Sequence, residues 1–247
     1  MDRELAYDIS RCVHRGTLKL EEILPWDDAP CPAQVLRLLD EKPGAVRSAI
    51  LLPPAGWTAA ARRADGALTQ IFVLSGTVRV GTAQLGAFGF AVLPADSGIA
   101  IEALTACEIV LICDRPGADD VPGVPLLVPD CLALEPFVPV IAGKRLDGFE
   151  RRRLWLNERT GADTRLLKVP AHFGGVGGAN WHPVEEEIYC ISGDIQPDAS
   201  RPMRAGSFLW NPAYSVHGFD ERTESGCVLL EWHDGPWDLV RVPEADR

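Results

Sequence analysis

Ile71-Phe72-Val73-Leu74-Ser75-Gly76 and Ile188-Tyr189-Cys190-Ile191-Ser192-Gly193 follow one pattern, an apolar run closed by Ser-Gly, repeated at an offset of 117 residues. At the same offset Leu39-Asp40-Glu41-Lys42-Pro43-Gly44-Ala45 overlies Leu156-Asn157-Glu158-Arg159-Thr160-Gly161-Ala162, and Pro53 overlies Pro170. One residue of slippage follows. Beyond it Pro94-Ala95 overlies Pro212-Ala213, Val110-Leu111-Ile112 overlies Val228-Leu229-Leu230, and Gly117 overlies Gly235. A single offset with a single slip indicates internal duplication. Each copy is too long for a solenoid repeat and suits a small domain.

Inside each copy the apolar runs are short. Residues 49–53, 71–75 and 109–113 in the first copy, and 165–169, 187–191 and 227–231 in the second, are strand-length and mostly separated by Gly, Pro, Asn or Asp. No amphipathic pattern of helical length stands out, apart from a weak one near the N-terminus. Many short strands with regular turns predict an all-β sandwich or barrel in each copy. Residues 115–125 are rich in Pro and Gly without periodicity and read as the joint. The first thirty residues precede the repeat and read as an arm or a strand borrowed by a neighbour.

Composition narrows the function classes. The chain has 247 residues, 47% hydrophobic and 24% charged, which is ordinary for a globular protein. The net charge of −11 is spread over both halves, so neither nucleic acid nor an anionic membrane surface is an expected partner. Lys144-Arg145 and Arg151-Arg152-Arg153 form the densest basic run and read as a solvated surface. No apolar segment follows Met1-Asp2-Arg3-Glu4, and the longest uncharged stretch, residues 80–95, is shorter than the about 20 apolar residues of a membrane span. Seven Cys without a C-x-x-C pair suit reduced thiols in a cytoplasmic protein, with Cys113 and Cys190 as small core residues.

The chemistry concentrates in the second copy. Of the five His, His182 lies four residues before Glu186 with Pro183 between them, and His217 follows the turn Asn211-Pro212. Two imidazoles and a carboxylate are a preferred ligand set for a divalent metal. With open positions they form the facial triad of Fe(II) oxygenases.

These residues resemble the two motifs of the cupin superfamily. The first reads Gly174-x5-Asn180-x-His182-x3-Glu186-x6-Gly193, with Asn180 where cupins carry their first His. The second reads Gly206-x5-Pro212-x-Tyr214-x2-His217-x3-Glu221, with Tyr214 in place of Gly and Glu221 in place of Asn. Together with the duplication, the resemblance implies a bicupin of two tandem double-stranded β-helix (jelly-roll) domains, most similar to ChrR-like and acetylacetone-dioxygenase-type cupins. It implies an N-terminal cupin over residues 1–115, a linker over 116–130 and a metal-binding cupin over 131–247. The first copy places Arg63, Asp65, Thr69 and Ile99 at the positions of Asn180, His182, Glu186 and His217, so only the second is expected to bind metal.

The expected site is one divalent ion per chain on His182, Glu186 and His217, with Fe2+ favoured and Zn2+, Ni2+ or Mn2+ as alternatives. Asn180 is expected to hold a water or substrate, and Tyr214 either reaches into the pocket or covers the turn. Glu185 and Glu187 read as solvent-facing, and His172 and His233 as surface residues. Gly174 to Gly178 reads as a pocket rim. Trp181, Trp210 and Trp232 read first as core. The function implied is an Fe(II) dioxygenase acting on a small oxygen-chelating substrate. The alternatives are a Zn or Ni isomerase, dehydratase or cyclase, or a non-catalytic regulatory cupin. A homodimer is left open.

Overall fold

A computed structural model describes residues 5–7, 9–27, 29–39, 47–114, 124–141, 143–175, 177–218 and 221–242. The described residues contain strands and two short 3-10 turns, with no α-helix. The weak helical pattern near the N-terminus therefore gives way to strands, because its apolar residues pair into sheets.

Each copy contributes five main strands. In the first they are β1 (Ala33–Leu39), β2 (Ser48–Leu52), β3 (Leu68–Ser75), β4 (Phe90–Leu93) and β5 (Glu108–Asp114). In the second they are β6 (Glu150–Leu156), β7 (Asp163–Val169), β8 (Glu186–Ile195), β9 (Ser207–Asn211) and β10 (Cys227–His233). The sheet orders are β4-β3-β5-β2-β1 and β9-β8-β10-β7-β6. Shifting the first order by the repeat offset gives the second, so the duplication in sequence is a duplication in topology. All of these pairings are antiparallel.

The repeated Ser-Gly has one physical reason in both copies. Gly76 and Gly193 take φ values of 82° and 78°. A Cβ there would lie 2.3 Å from the Ala106 carbonyl oxygen and 1.9 Å from that of Gly226, so only glycine fits.

The compact units are bounded differently from the domains expected from sequence. One comprises Leu18–Leu134, and the other joins Met1–Thr17 to Glu135–Arg247. Arg11–His14 pairs with β9 and extends the second unit's sheet, so the first seventeen residues belong to the second unit and not to a domain over 1–115. Leu126–Val128, inside the expected linker, pairs with β4. Unsatisfied edges of both sheets capture these segments, which composition alone marks as connectors. The expected boundary at 115/116 lies outside the described residues.

The two interiors differ. The first unit is filled by Trp26, Leu51, Trp57, Ile71, Leu85 and Leu93. The second packs Leu146, Phe149, Leu167, Cys190, Leu209 and Leu229 around a cavity of about 90 Å3. Cys113 and Cys190 are buried as expected, and none of the seven cysteines is in a disulfide. Among the described residues, no helix is long and apolar enough to cross a membrane.

Candidate metal centre

Register across the second sheet assembles the site. Glu186 opens β8 and lies opposite Asn211 on β9 and His233 on β10. His233 in turn lies opposite Asp163 on β7. The four side chains form one row across four strands, and cross-strand neighbours on one face are the pairs that interact. Asn211 Nδ2 donates to Glu186 Oε2 at 2.7 Å. His233 Nε2 lies 3.1 Å from Glu186 Oε1, and its Nδ1 lies 2.9 Å from Asp163 Oδ1. All four residues are buried.

Two turns bring the remaining ligands over this row. Asn180 and His217 exchange both backbone hydrogen bonds at 2.9 Å, which sets them side by side. The Tyr214 amide donates to the His182 carbonyl at 2.8 Å and ties the two turns together. His182 Nδ1 then donates to the Val184 carbonyl at 2.6 Å, and His217 Nδ1 to the Ser215 carbonyl at 3.0 Å. A carbonyl only accepts, so each Nδ1 carries a hydrogen and each Nε2 is left to face the site. These nitrogens lie 3.4 Å (His182) and 3.9 Å (His217) from Glu186 Oε2.

Three possible ligand atoms therefore converge in a buried site. Burial pushes His217 down to about 4, so its ring is neutral at pH 7. Burial alone would raise Glu186, but His182 and His233 beside it hold its carboxyl well below the usual range. This donor set suits a first-row divalent metal. Among the described residues, His182, Glu186 and His217 are the one group of three such side chains with ligand atoms within 4.8 Å of each other. The residues present fit the metal.

Asn180 and Tyr214 part company. Asn180 is buried and lines the cavity; its Nδ2 donates to the Gly178 carbonyl at 3.0 Å, while its Oδ1 has no hydrogen-bond partner. Tyr214 stacks on Trp181 with ring centres 5.6 Å apart. Its φ of 66° lies in the left-handed region that favours Gly.

Four sequence expectations need correction. His233 is not on the surface: it is fully buried and hydrogen-bonded to Glu186. Glu187 does face away from Glu186, opposite Trp210 and Trp232, but that face is covered and Glu187 is buried. Arg151 belongs to the basic run read as solvated, yet it is buried in the cavity wall, whereas Arg153, Lys144 and Arg145 are exposed. Trp181 and Trp210 are only half-buried, and Trp232 alone of the three is core. His172 is exposed as expected. Asp163, Asn211, Glu231 and Trp237 carried no motif. Their only signal was the alternation of Glu231 with His233, and of Asp163 with Arg165, along strands.

The equivalent positions of the first unit hold no such set. Arg63 binds Asp65 through two hydrogen bonds, of 3.1 and 2.7 Å. Thr69 accepts a hydrogen bond from Trp26 Nε1 at 3.3 Å, and Ile99 packs against the apolar core.

Residues 136–234 match the family model of the ChrR cupin-like domain. The second unit thus carries a cupin-like domain. Among solved structures, the chain resembles a proposed dioxygenase from Nostoc punctiforme, with TM-score 0.77, 17% identity, and coverage of 95% of this chain and 87% of that one. It also resembles protein Ylba from E. coli, with TM-score 0.67, 17% identity, and coverage of 98% and 97%. A third is oxalate decarboxylase from Lactobacillus farciminis, with TM-score 0.61, 13% identity, and coverage of 98% and 89%. No curated protein matches the sequence significantly.

Proposed function

We propose that the cupin is an Fe(II)-dependent dioxygenase acting on a small organic substrate that chelates through adjacent oxygens. The observation that carries this reading is the convergence of His182 Nε2, Glu186 Oε2 and His217 Nε2 with both Nδ1 hydrogens engaged elsewhere. Two His and one carboxylate leave coordination positions for substrate and O2, and iron held there would supply the redox chemistry. His233 occupies Glu186 Oε1 and leaves Oε2 to face the ligand nitrogens. The unpartnered Asn180 Oδ1 accepts a hydrogen bond from a water or substrate hydroxyl. Glu221 faces the same cavity, and burial beside Glu186 and Glu231 pushes it to about 7, so it can take or give a proton near neutral pH. Phe149, Phe173, Ile188, Leu209 and Leu229 wall the cavity and exclude bulk water.

Metal analysis of protein purified without a His tag, followed by oxygen-electrode assays with diketones and phenolic ketones, tests the reading. The expected result is one iron per chain, lost in the His182→Ala, His217→Ala double variant, with substrate-dependent oxygen uptake. Two metals per chain, full occupancy in the double variant, or turnover without oxygen uptake would overturn it.

A further inference from the structure

The cavity wall carries a second polar feature that the triad does not use. Arg151 on β6 is 6% exposed, and its Nε has no hydrogen-bond partner. Its carboxylate contact is loose, with Nη2 3.8 Å from Glu231 Oε2, and that oxygen also lacks a hydrogen-bond partner. The guanidinium lies 5.4 Å from the centre of the Trp237 ring. Trp237 Nε1 is itself a buried donor without an acceptor. Arg151, Glu231 and Trp237 all line the same chamber as Asn180, Glu186 and His217.

An under-bonded guanidinium in an apolar chamber is physically expensive. It cannot lose its proton in a protein, and each donor left without an acceptor forfeits its hydration. Lys would place a point charge here, whereas Arg presents a planar fork suited to a carboxylate. Arg151 also feels the charge of Glu186, so the two groups act on one space. Burial raises Glu231, against the pull of the Arg151 charge beside it.

We propose that Arg151 and Trp237 form a subsite for a carboxylate of the substrate, the Arg151 guanidinium and Trp237 Nε1 donating to its oxygens. The substrate class is then a small acid carrying both a metal-chelating pair of oxygens and a separate carboxylate, with an apolar remainder. A cavity of about 90 Å3 restricts this to a compact molecule. The inference rests on the function proposed above for the chelating half, while the carboxylate half is held by residues that are not metal ligands.

The test uses two probes that differ by one group, 2,4-pentanedione and 2,4-dioxopentanoate, titrated calorimetrically into cobalt-loaded and metal-free full-length protein. The carboxylated probe should bind the loaded protein at least about tenfold more tightly. Arg151→Gln should abolish that preference with unchanged cobalt content and unchanged affinity for pentanedione, and Arg151→Lys should retain part of it. Trp237→Phe, which keeps the ring and removes the donor, should weaken only the carboxylated probe and covers the case of a misfolded Arg151 variant. In metal-free protein the Arg151-dependent binding of dioxopentanoate should persist, so failure of the metal reading would leave this result standing. Equal preference in wild type, no binding of either probe, or a preference that survives both substitutions would overturn the subsite.

Discussion

His233 places its Nε2 3.1 Å from Glu186 Oε1 and its Nδ1 2.9 Å from Asp163 Oδ1. The imidazole thus joins two buried carboxylates, and one of them is a candidate metal ligand. Burial alone would lower His233, but its hydrogen bonds to Asp163 and Glu186 raise it. Burial alone would raise Asp163, but His233 and Arg165 hold it down. The ring fixes Glu186 so that one oxygen faces the ligands. Groups in this position orient a ligand without touching the metal.

Removing this support should loosen the metal without abolishing the site. His233→Gln is expected to lower metal affinity by about 10–100-fold, with full occupancy recovered at higher metal concentration. A chelator-competition titration reads this directly. Unchanged affinity would show that Glu186 is held by Asn211 and the backbone alone.

Asn180 separates ligand from neighbour. Its Oδ1 is buried, unpartnered and beside His217. Asn180→Ala should keep the metal through dialysis and reduce turnover by about 10–100-fold. Asn180→His should also reduce turnover, by filling an open position. Loss of metal from the Ala variant as complete as in His182→Ala would make Asn180 a ligand.

The first unit should carry no chemistry. Asp65 is used in binding Arg63, and Thr69 in accepting from Trp26. Asp65→Ala and Thr69→Ala should leave metal content unchanged and turnover within about tenfold of wild type, or about 1.4 kcal/mol in the barrier. A larger loss in a folded variant would reveal a second site.

The metal-free protein should weaken in acid through His217. Burial depresses this ring from 6.5 to about 4, so between those values the native state binds fewer protons than the unfolded chain. Its contribution is fully present above about pH 6.5 and is lost as the pH falls through about 4, roughly 2 kcal/mol between pH 7 and 4.5. Denaturant midpoints at the two pH values should show this slope flattened in His217→Gln. Equal slopes would refute it.

The sequence by itself determined the duplication, the all-β class and the spacing of His182, Glu186 and His217. These are local quantities: strand-length apolar runs, Pro turns, and a Gly whose missing Cβ is required at Gly76 and Gly193 alike. It also showed the loss of ligands in the first copy, since Ile99 cannot bind a metal. The tertiary structure alone decided the rest. His233 lies 47 residues from Glu186 and 70 from Asp163, and only the order and register of β7, β10 and β8 put them in contact. Alternation along a strand tells which residues share a face, but not whether that face is covered. So Arg151 and Arg153, two apart in one basic run, end with one buried beside Glu231 and the other in solvent. Arg151 and Arg153 pair in unbroken register with Leu167 and Arg165, and the pairing of β6 with β7 shifts only after Arg153, so the two share a face and differ in what covers it.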